Sequence, residues 1–283
     1  MIPNNPLTRL YNSELEQIEL HFEGHSARLC LQGAHLVSCI HAGIERLWLS
    51  SHALFEEGLP IRGGVPVCWP WFGPHPTDST KPAHGPARTA KWDLLETFND
   101  ENCASVTLGY TSEDPEYRCK ATLHIELNAV GLRIALGSLN TGDTPLVLTE
   151  ALHTYFPISD LNNAAIKGLL STRYADKLNA YEESTEHRDK LYLTEPTDRV
   201  YFDTATQLQL IDSAWSRTTT IEKSGSQATV IWNPGAKTAA AMADLKEENY
   251  RHFLCIESAN ALSACVSLAP GETHWLEQRL IFS

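Results

Sequence analysis

Ala121-Thr122-Leu123-His124-Ile125-Glu126-Leu127, with Leu132-Arg133-Ile134-Ala135-Leu136-Gly137-Ser138-Leu139 close behind it, decides the fold class. Both stretches alternate with a period of two, which sends one face of a strand inward and the other outward. Turn clusters such as Asn99-Asp100-Glu101-Asn102 and Thr141-Gly142-Asp143 punctuate the strand-like runs. Residues 218–232 read as a hairpin turning at Ser224-Gly225-Ser226. A last hairpin turns at Pro270-Gly271-Glu272 and runs out through Trp275 to Phe282. No long stretch shows convincing helical periodicity, so only short helices are expected, near 51–57 and 243–248. Many short strands with regular turns predict an all-β antiparallel sandwich, parsed as one domain over residues 1–283.

The segment from Gly58 to Pro86 is rich in Pro and Gly but also holds Trp69, Trp71 and Phe72. A long loop of this kind is costly to order unless it builds something. It reads as one wall of a site. Its rings serve either as a stacking floor for a ligand or as packing.

Composition narrows the function. The chain of 283 residues is 42% hydrophobic and 20% charged, as in ordinary globular proteins. It holds no run of about 18 apolar residues, and its start, Met1-Ile2-Pro3-Asn4-Asn5-Pro6, lacks a basic then apolar leader pattern. No membrane partner is expected, and a cytoplasmic location is. The seven scattered cysteines, odd in number and without a C-x-x-C pair, read as buried free thiols of a reducing compartment. A net charge of −13 disfavours nucleic acid, whose phosphates need a basic surface. A small anionic substrate would need a local arginine cluster against that field.

Three places carry candidate chemistry. In Ile61-Arg62-Gly63-Gly64-Val65-Pro66, the paired glycines permit positive φ or close backbone approach, and Arg62 stands where it can reach an anion. By itself that arginine also reads as a solvated or structural residue beside a turn. Ala83-His84-Gly85-Pro86-Ala87-Arg88 sets an imidazole and a guanidinium four residues apart; a plain loop histidine and an exposed arginine are the other reading. Lastly, His153 and Glu257 each lie inside strongly apolar, strand-like neighbourhoods. An unpaired ionisable group costs several kcal/mol to bury, so each is solvated, paired or functional. The remaining histidines offer no zinc-like spacing, and no G-x-S-x-G elbow or phosphate loop occurs. No metal and no cofactor are expected.

The motifs also stand in an order. Gln32-Gly33-Ala34-His35-Leu36 precedes Leu47-Trp48-Leu49-Ser50, the Arg62-Gly63-Gly64 segment with Trp69-Pro70-Trp71-Phe72-Gly73, and His84-Gly85 with Ala87-Arg88. Then come Leu152-His153-Thr154-Tyr155-Phe156, Thr197-Asp198-Arg199-Val200-Tyr201, Trp232-Asn233-Pro234-Gly235 and Ile256-Glu257-Ser258-Ala259. In this set the chain resembles the hexose-6-phosphate mutarotases, or glucose-6-phosphate 1-epimerases, of the aldose 1-epimerase superfamily. The resemblance implies a large antiparallel β-supersandwich, galactose mutarotase-like, with the sugar site on its concave face. It implies His153 as the catalytic acid, Glu257 as the base, and Arg62, His84, Arg88 and Asp198 as substrate-contacting residues. The implied partner is a sugar phosphate handled by a monomer without a cofactor.

The chain departs from the pattern at Ala83, where the family often has Gln, and at Pro86, where it often has Phe. A neutral-sugar aldose 1-epimerase and a non-catalytic carbohydrate-binding protein of the same fold are the competing readings. The two arginines argue against the first. Retention of an acid–base pair argues against the second.

Overall fold

In the structure, a computed structural model that describes residues 7–10, 14–202, 204 and 206–283, the alternating stretch sits within a nine-stranded antiparallel sheet. Strand Cys119–Asn128 buries Cys119, Ala121, Leu123, Ile125 and Leu127 and turns the residues between them outward. It pairs with Gly131–Asn140, which pairs in turn with Thr273–Phe282. Against this sheet packs an eight-stranded one. Its order is Glu182–Thr185, Arg173–Asp176, Thr197–Phe202, Ala228–Asn233, Phe253–Asn260, Glu150–Leu152 and Val67–Cys68, with Tyr155–Pro157 also paired to Phe253–Asn260. A five-stranded sheet from Leu7–Leu10 to Ile44–Glu45 and a two-stranded ribbon complete the all-β architecture. One apolar core joins the layers, with Leu254, Ile256, Ile231 and Phe156 from the eight-stranded sheet meeting Leu276, Leu280 and Ile134 from the nine-stranded one.

Strand Phe253–Asn260 does not alternate, because all eight of its residues are buried. Leu254 and Ile256 point into the core between the sheets, and the opposite face lies under a cleft rather than open water. A strand covered on both sides reads as a continuous apolar run.

Neither expected hairpin forms. Arg217–Ser224 pairs with Gln207–Asp212 and Thr273–Phe282, whereas Ala228–Asn233 pairs with Thr197–Phe202 and Phe253–Asn260. The turn at Ser224-Gly225-Ser226 is therefore a corner where the chain leaves one sheet for the other. Gly225, at φ +64°, is pressed so close to the Trp275 carbonyl that a Cβ would lie 1.8 Å from it. Likewise Val266–Leu268 pairs with Leu146–Leu148, while Thr273–Phe282 joins Gly131–Asn140.

The helices also differ from expectation. Residues 51–57 form no helix: a turn at 51–52 gives way to irregular chain, and the Gln32 side chain pins its end by bonding the carbonyls of Glu56 and Leu59 and the N–H of Gly58. The α-helix is Gly235–Ala241, an alanine-rich run of strong intrinsic propensity, and a 3₁₀ segment follows at Glu247–His252. All seven cysteines are free, five of them buried. Among the described residues, no helix is long and apolar enough to cross a membrane.

Candidate active site

The site is built by strand register on the face of the eight-stranded sheet that points away from the core between the sheets. Leu152 pairs with Ser258 and Tyr155 with Cys255, and continuing either register places His153 directly opposite Glu257. The regular ladder is interrupted there: the His153 N–H donates to Pro66 O at 3.0 Å and the Thr154 N–H turns back to Leu152 O. On the far side Glu257 pairs with Val230, and Asp198 pairs with Trp232, which pairs with Cys255. Opposed residues share a face, as do residues two apart, so His153, Tyr155, Glu257, Trp232 and Asp198 are all delivered to one surface.

The paired glycines bring the third wall close. Gly63 (φ +109°) lies against Trp48 O and Gly64 (φ +64°) against Leu36 O, where a Cβ would fall 2.5 and 2.1 Å away. Only glycine fits both the backbone conformation and the gap. The Tyr155 N–H then bonds Gly64 O at 2.9 Å, which fixes Arg62 beside the His153 strand.

Arg62, His84, Arg88, His153, Asp198 and Glu257 all line one cleft of about 140 Å³, together with Phe72, Tyr155, Lys177 and Trp232. His153 Nε2 lies 3.4 Å from Glu257 Oε1. Glu257 is 1% exposed, and among the described residues neither its Oε2 nor His153 Nδ1 has a hydrogen-bond partner. The His153 ring stacks on Tyr155 at 4.9 Å and meets Trp232 edge-on at 5.8 Å. Arg62 is braced, donating to Asp244 and to the Tyr155 hydroxyl at 3.0 Å each. Arg88, in contrast, makes no ion pair among the described residues, although it faces the same space.

Sequence reasoning missed Lys177, which forms a 3.0 Å ion pair with Asp198 and sits over the Phe72 ring. Its only signal was topological: Asp176 pairs with Arg199, so the next step of that register sets Lys177 against Asp198. The stacking-floor reading of the aromatic loop needs correction. Trp69 and Trp71 are buried in the core with their indole N–H groups bonded to Ser138 and to Pro82 O. The Phe, Tyr and Trp rings that do line the cleft are Phe72, Tyr155 and Trp232. Ala83 is exposed and is not part of the cleft lining.

Burial dominates the electrostatics. Desolvation, and then His84 and Arg62, hold the His153 imidazole well below the usual histidine range. Desolvation, and then Asp198, hold the Glu257 carboxyl well above the usual carboxylate range. Both directions favour a pair of neutral groups that keeps a single proton, resident on Glu257. Burial and the neighbouring cations Arg88, Lys177 and Arg62 push His84 down to about 3. Its Nδ1 accepts the Gly73 N–H, which leaves the neutral ring to present Nε2–H. With Glu257 neutral, the cleft holds three cations against Asp198 and the Asp244 brace, a local positive field in an acidic protein. Among the described residues no group of three or more His, Cys, Asp or Glu is arranged to hold a metal ion.

Against known proteins, the aldose 1-epimerase family profile matches residues 16–280. The chain belongs to the aldose 1-epimerase family. It is 33% identical over 269 residues, 90% of its length and 86% of the other's, to the Escherichia coli (strain K12) protein named "Putative glucose-6-phosphate 1-epimerase". It is 31% identical, at the same coverage, to the Salmonella typhimurium (strain LT2) protein of the same name. The crystal structure of a "putative mutarotase" from Salmonella typhimurium superposes with a TM-score of 0.90 at 29% identity, covering 98% of this chain and 93% of the other. Membership makes the protein a sugar epimerase, and the supersandwich is the family's galactose mutarotase-like fold.

Proposed function

We propose that this epimerase interconverts the α and β anomers of a hexose 6-phosphate, with Glu257 and His153 as its base and acid. The observation that carries the reading is the register-opposed His153–Glu257 pair, 3.4 Å apart, in a cleft whose Arg88 guanidinium has no counter-ion among the described residues. The names of the relatives in Escherichia coli and Salmonella support the same substrate class.

The reaction needs one proton taken from the C1 hydroxyl and one given to the ring oxygen. The C1–O5 bond breaks, the C1–C2 bond rotates, and reclosure on the other face inverts C1. Glu257 as a carboxylate accepts the first proton, and His153 as an imidazolium supplies the second. After ring opening Glu257 holds a proton and His153 is neutral. That is the protonation state burial favours. Reclosure then runs with the roles exchanged, as microscopic reversibility requires, so the pair returns to its starting state.

Burial is the main cause of the depressed His153, and a phosphate on Arg88 and the free edge of Arg62 offsets the cationic field that adds to it. Binding therefore moves the shared proton toward His153 and charges the pair for ring opening. Guanidinium groups suit this role because they hold phosphate bidentately. Phe72 and Trp232 offer apolar faces to the sugar C–H groups, and His84 offers an N–H donor to a hydroxyl.

The test is anomer exchange of glucose 6-phosphate and of free glucose, followed by magnetisation-transfer NMR. The reading requires faster exchange at catalytic enzyme concentrations, with the phosphorylated sugar strongly preferred. Equal kcat/KM for the two sugars would instead make the protein a neutral-sugar epimerase.

A further inference from the structure

Where the ladder opens between Leu152 and Tyr155, the gap is held from behind by a residue of the other sheet. Gln278 lies on strand Thr273–Phe282, is 0% exposed and reaches across the inter-sheet core. Its Oε1 accepts the Thr154 hydroxyl at 2.5 Å, and its Nε2 donates to Ser258 Oγ at 3.0 Å and to Ile256 O at 3.4 Å. Thr154 is the neighbour of His153, and Ser258 and Ile256 flank Glu257. The amide thus grips the chain beside both members of the pair, at the step where regular pairing between their strands lapses. What remains there of the ladder is one long contact, Ile256 N–H to Thr154 O at 3.3 Å.

We propose that Gln278 is a positioning residue: by clamping Thr154 to Ser258 through the core, it sets the separation of His153 and Glu257 for proton transfer. This rests on the acid–base reading of that pair. The chemistry of the amide suits the task. One Gln side chain offers an acceptor and two donors in a plane, so it bonds a hydroxyl on one strand while donating to the other. An apolar side chain of similar size fills the space but transmits no direction. Every polar atom of the cluster is buried, so a half-made version is costly, and the arrangement is held to a single geometry. Displacement of a reacting group by about 1 Å can cost on the order of 10²-fold in rate.

Loss of the clamp must be separated from loss of stability. Gln278→Leu orphans the Thr154 and Ser258 hydroxyls and is expected to lower the melting temperature. The combined variant Gln278→Leu/Thr154→Val/Ser258→Ala removes both orphaned hydroxyls, gives up only the long contact to Ile256 O, and is expected to recover most of that loss. Gln278→Glu retains the acceptor for Thr154 and, when protonated, a donor for Ser258. We expect Gln278→Leu and the combined variant to lose about 10-fold or more in kcat with KM within about twofold of the wild type. Gln278→Glu should recover activity toward low pH. The His153 ring, followed by imidazole carbon NMR without substrate, should titrate at a different pH in Gln278→Leu.

Wild-type kcat in the combined variant overturns the proposal. So does a kcat that returns in step with the melting temperature, or an unmoved His153 titration. Failure of the wild type itself to accelerate exchange would instead remove the acid–base reading, a result distinguishable from all of these.

Discussion

Replacing Glu257 by Gln separates function from stability, and the two should move in opposite directions. The substitution keeps shape and volume, so no cavity forms. It removes the proton acceptor, and a positioned general base contributes about 10²–10⁴-fold. At about 1.4 kcal/mol per decade, that is a barrier increase of roughly 3–5 kcal/mol.

The stability effect follows from the raised carboxyl of Glu257. The folded protein keeps this proton to a higher pH than the unfolded chain, whose carboxyl titrates near ~4.3. Stability therefore falls as pH rises from the unfolded value to the folded one, by about 1.4 kcal/mol per pH unit across that window. Gln does not titrate and so loses no stability in this window. Glu257→Gln should thus melt higher than the wild type at pH 8, by a few degrees for each kcal/mol at this chain length, with the difference shrinking toward pH 4.5. Anomer exchange by NMR and scanning calorimetry at the two pH values read both effects. Retained exchange would show that Glu257 is not the base. A melting difference that is independent of pH, or reversed in sign, would show that its carboxyl is not held protonated by burial.

Arg88→Gln should raise KM for glucose 6-phosphate by about 10–100-fold, the loss of a charge-assisted contact of roughly 1.5–3 kcal/mol, and leave free glucose nearly unchanged; steady-state kinetics on both sugars checks it. The pH profile of kcat/KM should be broad. Its acid limb lies below the ordinary histidine value because His153 is depressed, and its alkaline limb lies above the ordinary carboxylate value because Glu257 is raised. For the phosphorylated sugar a further inflection near ~6, the second ionisation of the phosphate itself, should appear and be missing with free glucose.

The strands were legible wherever one face met the core and the other met water. Cys119–Asn128 is such a strand, and its burial follows its sequence alternation throughout. What could not be read was which strand each turn leads to. Ser224-Gly225-Ser226 has the composition of a hairpin turn, yet its corner role depends on Trp275 packing against Gly225, a contact between residues 50 positions apart in the chain. The 51–57 helix failed for a similar reason, since a distant Gln32 holds the end of that segment through Glu56 O, Gly58 N–H and Leu59 O. Local propensity yields where a side chain remote in sequence fixes the path of the backbone.

At the site, residue type and motif order drew attention to His153 and Glu257, but only register makes them a pair. Leu152 with Ser258 and Tyr155 with Cys255 fix that opposition. The same logic explains what stayed hidden. Lys177 belongs to no motif and reaches the cleft because it directly follows the strand Arg173–Asp176, which lies beside that of Asp198. Gln278 sits in a strand that reads as plain alternation, and its polar side chain points inward, where alternation alone predicts an apolar one. A buried glutamine in an otherwise regular strand is a local inconsistency, and such inconsistencies concentrate where structure yields to function. In this protein it lies directly behind the two residues whose protons the chemistry must share.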